Sequence, residues 1–281
     1  MQASQATPGS LAARSDTVAE GRRIIDAARR RGAVLRLMGG LAVREHCEVL
    51  SFCERDYSDL DMVASRAHYK ELPDIFKELG YTENYHVRQA TNGRQMQFYR
   101  DCQHPDSDLH YFLHPDDHVD VFLETFRMDH EVPLKERLEI EDYTIPLSDV
   151  LLTKLQTVNK DEKDVRDILT LLKDVPLVAG QERGVINPAY IAGLCAADWG
   201  LYYDVTVGIE RSRQLLHDYP LDDADAARVA AGLDTLVAAI EVAPKSTKWK
   251  LRAKVGTRRP WRNEVEEQDG EEHGPPLPGG D

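Results

Sequence analysis

From Asp16 to Arg31 the apolar residues Val18, Ile24, Ile25 and Ala28 recur at helical spacing among charged ones, which predicts an amphipathic first helix. VLRLM follows, and its Val34, Leu35, Leu37 and Met38 read as a short buried strand running directly into Gly39-Gly40 and the helical LAVREHCEVL. DLDMVAS alternates as a strand does. RAHYKELPDIFKELGY reads as a helix closed by Gly80, with Pro73 a break or kink inside it. MQFYR, LHYFLH and HVDVFLE are aromatic and β-branched enough for three further strands, and LKERLEI with YTIP reads as a closing strand pair. Past Pro146 the period changes. LSDVLLTKLQTV, KDVRDILTLLKD, NPAYIAGLCAADWGLYYDVTVGIERSRQLL and ADAARVAAGLDTLVAAIEVA are all helical in pattern, with Asn187 and Pro188 as cap and first turn of one helix.

The expected fold class is therefore α+β, with a mixed β-sheet and flanking helices over residues 1–146 and a helical bundle over 147–243. Residues 244–281 form a third, compositionally biased segment. Its first part, KSTKWKLRAKVGTRRPWR, sets Trp249 and Trp261 among eight Lys and Arg residues. Such a mixture can track a phosphate backbone and stack on bases, or form a solvated strap. The second part, EVEEQDGEEHGPPLPGGD, is acidic, rich in Pro and Gly, and expected to be a disordered tail.

Composition narrows the picture. A chain of 281 residues with 42% hydrophobic content can bury a proper core, which excludes disorder of the whole. No apolar run reaches the roughly 18 residues of a spanning helix, and MQASQATPGSLAARSD lacks a signal-peptide core, so no membrane and a cytoplasmic location are expected. Cys47, Cys53, Cys102 and Cys195 lack paired CxxC spacing and are read as reduced thiols. A net charge of -14 excludes a protein whose whole surface grips nucleic acid.

In Ser58-Asp59-Leu60-Asp61-Met62-Val63 two carboxylates stand two apart on an expected strand and so share a face. Two like charges side by side call for a divalent cation, and carboxylate oxygens suit magnesium. Asp120, between Val119 and Val121 in HVDVFLE, can add a third carboxylate from a neighbouring strand. Gly39-Gly40, at a helix start, would let phosphate approach backbone N–H groups closely. Asp164 and Asp167 lie three apart on one helix face and are read as structural partners of Lys163 or Arg166. His110, His114 and His118 recur every four residues, but Pro115 breaks the register, and the trio is not read as a metal site.

LMGGLAV, SDLDMV and VDVF stand in the order of the nucleotidyltransferase superfamily with the polymerase-beta-like fold, which the chain resembles over roughly residues 34 to 173. Within it the chain is most similar to minimal nucleotidyltransferases and AbiEii-type toxins of toxin-antitoxin systems, through Gly39-Gly40-Leu41-Ala42, Arg55, Asp59-Leu60-Asp61, Lys154 and Lys163-Asp164-Val165-Arg166-Asp167. The gap from Gly40 to Asp59 exceeds the tightest family pattern and implies a loop insertion through CEVLSFCERDY. The resemblance implies transfer of a nucleoside monophosphate from an NTP, ATP among them, to a hydroxyl of a tRNA or protein acceptor. Asp59, Asp61 and Asp120 would hold two Mg2+ ions, with Mn2+ as a substitute, and Gly39, Gly40, Ser58 and Lys154 would contact the nucleotide. It also implies a cognate antitoxin. The alternatives are an aminoglycoside-type small-molecule acceptor, which acidic charge would suit, or a non-catalytic member that binds nucleotide or a partner.

Overall fold

Strands too short to stand alone hold together here because each buries one face against a common core. A computed structural model describes residues 16–53, 60–100, 118–158 and 160–263. After α1 (Asp16–Arg30), β1 (Leu35–Leu37) passes into α2 (Gly39–Glu45) and α3 (Leu50–Cys53), and the chain resumes at β2 (Leu60–Ala64). Then come α4 (Leu72–Glu78), β3 (Tyr81–Glu83), α5 (Tyr85–Ala90), β4 (Gln95–Arg100) and β5 (His118–Leu123). These strands form one mixed sheet in the order β1-β2-β5-β4-β3. β2 and β5 run parallel, and the other three pairings are antiparallel. The fold class is α+β.

The expected helix from Arg66 to Gly80 is divided. Ser65 caps a 3-10 turn over Arg66–His68, and α4 starts afresh with Pro73 in its first turn, where its missing N–H costs nothing. The expected strand LHYFLH lies outside the described residues. LKERLEI with YTIP does not form a strand pair: Lys135–Arg137 is a 3-10 turn, and Thr144 makes a single parallel bridge to Leu37. Its buried residues, Leu134 and Leu138, are four apart, a turn-like period that the strand reading overlooked. A hairpin of β6 (Thr125–Arg127) and β7 (Glu131–Pro133) stands just before it.

From Leu147 the described chain is helical: α6 (Leu147–Gln156), α7 (Glu162–Asp174), α8 (Pro188–Ala197), α9 (Trp199–Leu215), α10 (Asp223–Val242) and α11 (Thr247–Val255). Asn187 caps α8 as its sequence predicts, its Oδ1 accepting from the N–H groups of Ala189 and Tyr190. Val150, Leu151, Leu152 and Leu155 are fully buried, so α6 is a central helix, and α2 packs on both α6 and α7. Sheet and helices share one continuous apolar core. Among the described residues no helix is long and apolar enough to cross a membrane.

Cys47 and Cys53 are joined in a disulfide, which corrects the expectation that both are reduced thiols; Cys195 is free and buried. The chain reverses between α2 and α3 and brings the two α-carbons to 6.6 Å, inside the range a disulfide spans. Spacing along the sequence carries no trace of that reversal.

Candidate active site

The register of the sheet sets one row of residues across it. Asp61 on β2 is paired with Asp120 on β5, and Asp120 with Gln97 on β4. The row continues in both directions, since Met38 N–H donates to Asp61 O at 2.9 Å and Asn84 N–H donates to Gln97 O at 2.8 Å. Side chains of partnered residues share a face, and neighbouring strands lie about 4.8 Å apart. Leu60, Met62, Val119, Val121, Met96 and Phe98 take the opposite face and are buried in the core. Apolar alternation thus forces Asp61, Asp120 and Gln97 onto the other face together, as the flanking valines of HVDVFLE predict.

Gly39 closes this row on the side of β1. Its φ is +64°, a left-handed conformation that favours glycine. A Cβ there would stand 2.7 Å from Asp61 Oδ2, so the absence of a side chain is what admits the carboxylate. Gly40 follows as the second residue of α2.

Asp120 is held by several donors. Gln95 Nε2 and Gln97 Nε2 both donate to its Oδ1, at 2.9 and 3.1 Å, and His118 Nε2 lies 3.1 Å from its Oδ2. Behind Gln97, its Oε1 accepts from Tyr99 Oη at 2.6 Å and from Asn84 Nδ2 at 2.9 Å. Gln95, Gln97, Tyr99 and Asn84 are not among the residues the motifs single out, and His118 enters there only in a histidine trio whose other members, His110 and His114, lie outside the described residues. The signal was there in QMQFY, where Gln95, Gln97 and Tyr99 alternate with Met96 and Phe98.

Ser58 and Asp59 lie outside the described residues, as does Arg55. Among the described residues, no three His, Cys, Asp or Glu side chains gather as a metal-binding group. Asp61 and Asp120 are two hard oxygen donors in register, and like charges so placed are destabilising unless compensated, which is the chemistry a divalent cation fits.

Lys154 has its Nζ 2.8 Å from Asp164 Oδ1 and 2.9 Å from Asp167 Oδ2. Burial works against its charge, but Asp167 and Asp164 outweigh that and raise its pKa above the ordinary lysine value. The expected partners of those aspartates are corrected accordingly: Lys154 from α6 takes both, and Arg166 turns to Glu162 at 2.6 Å.

Both tryptophans of the basic C-terminal segment are engaged within the fold. Trp249 Nε1 donates to Cys195 O at 3.0 Å and its ring meets Tyr202; Trp261 Nε1 donates to Asp204 Oδ2 at 2.9 Å. The indoles anchor this segment to α8 and α9 as a strap. Lys248, Lys250, Lys254, Arg258 and Arg259 remain exposed.

Comparison with protein-family models and with curated proteins gives no match. Among solved structures, that of the antibiotic-resistance factor ANT(2'')-Ia is similar at a TM-score of 0.34, with 14% identity over 55% of this chain and 81% of that one. A likeness of this size carries no inference about activity.

Proposed function

We propose that the chain is a metal-dependent nucleotidyltransferase that moves a nucleoside monophosphate from an NTP to an acceptor hydroxyl. The observation that carries this reading is the placing of Asp61 and Asp120 in register on adjacent parallel strands, with the Gly39 turn against Asp61. The acceptor oxygen forms a bond to the α-phosphorus, the bond from that phosphorus to the bridging oxygen breaks, and pyrophosphate leaves. Asp61 and Asp120, with Asp59 from the sequence pattern, would hold Mg2+ or Mn2+, which supplies neutralisation of the charge developing on the phosphoryl oxygens. Asp120 takes the proton of the attacking hydroxyl. Gly39 and Gly40 leave room for phosphate beside backbone N–H groups, and Ser58 is assigned to the same phosphates. Lys154, held between Asp164 and Asp167, is assigned to the triphosphate.

A nucleic-acid acceptor such as tRNA is supported by the exposed cations of α11 and the turn after it, and a protein acceptor remains part of the same reading. A net charge of -14 favours a second reading, a cationic small molecule of the aminoglycoside type. Incubation with labelled NTPs, Mg2+ and either tRNA, protein or aminoglycosides separates them by which product carries label. Asp61→Asn and Asp120→Asn should abolish labelling. Undiminished labelling in both variants would remove the assignment, and NTP binding with no labelled product would mark a non-catalytic member. A small DNA-binding antitoxin encoded beside this chain would favour a toxin role.

A further inference from the structure

Asp120 is oriented by a directional chain of hydrogen bonds that begins at the cap of α5. Asn84 Oδ1 accepts from His86 N–H at 3.2 Å, which fixes its amide so that Nδ2 faces Gln97 Oε1 and Tyr99 Oη. With Oε1 of Gln97 taken by Asn84 and Tyr99, its Nε2 must face Asp120 Oδ1. Gln95 is set from the other end of α5, where its N–H donates to Thr91 Oγ1 at 3.2 Å while that hydroxyl donates to Val87 O at 2.8 Å. Gln97 and Tyr99 are buried, so water competes poorly for these bonds.

Resting on the nucleotidyl-transfer reading of this same face, we propose that Gln95 and Gln97 are positioning residues. They hold Oδ1 of Asp120 with two amide donors, while His118 Nε2 stands 3.1 Å from Oδ2, and so fix the plane in which Oδ2 meets metal and acceptor hydroxyl. Asn84, through Gln97, sets the polarity of the clamp. A carboxylate whose plane is fixed binds with a single orientation, whereas a carboxylate able to rotate must be ordered at each turnover.

The test uses the full-length protein carrying Gln95→Met, Gln97→Met or Asn84→Asp, with thermal unfolding measured for each. Asn84→Asp keeps an acceptor for His86 N–H but removes the amide donor, so Gln97 is drawn to reverse and turn Oε1 toward Asp120. All three should lower kcat at least fivefold with KM for NTP within twofold, and should weaken Mn2+ binding at least threefold by calorimetry without NTP. If they change only the unfolding temperature, leaving kcat and Mn2+ affinity at parental values, the clamp is structural and the proposal is overturned. Should Gln97→Met fail to fold, Gln95→Met and Asn84→Asp carry the same decision. Asp120→Asn is measured alongside: Mn2+ binding lost in it and kept in the clamp variants sinks the clamp alone, while Mn2+ binding kept in Asp120→Asn sinks the reading of the face as well.

Discussion

Gly39 and Asp61 are fitted to one another, since a β-carbon on the first would stand 2.7 Å from a carboxylate oxygen of the second. Gly39→Ala therefore pays twice: the left-handed φ of +64° costs about 1 kcal/mol or more for an L-residue, and the Asp61 carboxylate must move. Gly32 has a φ of +75° with nothing within 4 Å of its missing Cβ, and Gly32→Ala pays the backbone cost alone. Both variants should lose a few degrees of thermal midpoint, Gly39→Ala the more, and only Gly39→Ala should lose nucleotidyl transfer by tenfold or more. Equal activity in the two would show that the close approach has no bearing on the site.

Lys154 carries the one ammonium placed by the described contacts between Asp164 and Asp167, and the Asp167 side chain is 1% exposed. Lys154→Met takes the ammonium from a buried carboxylate, a loss of up to about 3–5 kcal/mol when one member of such a pair is removed. Adding Asp167→Asn should restore part of it. Chemical denaturation of the two single variants and the double variant measures the coupling, and strictly additive losses would remove the ion pair from the account.

Alternation made the sheet face legible and proximity made the rest of it illegible. Val119 and Val121 around Asp120 announce which way each side chain turns, and the row through Asp61 follows from that. Nothing in the order of residues says that Gln97 will be the antiparallel partner of Asp120, because register between β4 and β5 is fixed by the shared core and not by either strand. The ion pair of Lys154 with Asp167 is hidden for a similar reason: spacing reveals neighbours on one helix, and Lys154 reaches it from another. LKERLEI failed on period, its two buried leucines standing four apart and so favouring a turn.

Reduction of the Cys47 to Cys53 disulfide should raise the thiol count of the denatured protein by two, and Cys47→Ser or Cys53→Ser should abolish that increment. The bond closes a short loop, with a sequence separation of 6, and in the chain-entropy picture such a loop contributes about 2 kcal/mol. A denaturation midpoint lowered by reductant in the parent and insensitive to it in Cys47→Ser is the expected outcome. An unchanged thiol count on reduction would show that the pair does not form in the protein.

Asp204 binds the C-terminal segment to the body of the fold and should set its behaviour in acid. Its side chain is 2% exposed and accepts from His130 at 2.8 Å, from Trp261 at 2.9 Å and from Arg262 at 2.7 and 3.0 Å. Burial by itself would raise the carboxyl pKa, but the bonds from His130, Arg262 and Trp261 outweigh it and bring the value from 3.8 down to about 2. Because the folded value is depressed, the stabilisation is fully present above the unfolded pKa and is lost as pH falls from about 4 toward 2. A shift of that size corresponds to roughly 2–3 kcal/mol. Thermal midpoints measured from pH 6 to pH 2 should fall more steeply below pH 4 in the parent than in Asp204→Asn, which lacks the titrating group and begins from a lower plateau. Parallel curves in that window would show that the Asp204 carboxylate does not govern acid stability.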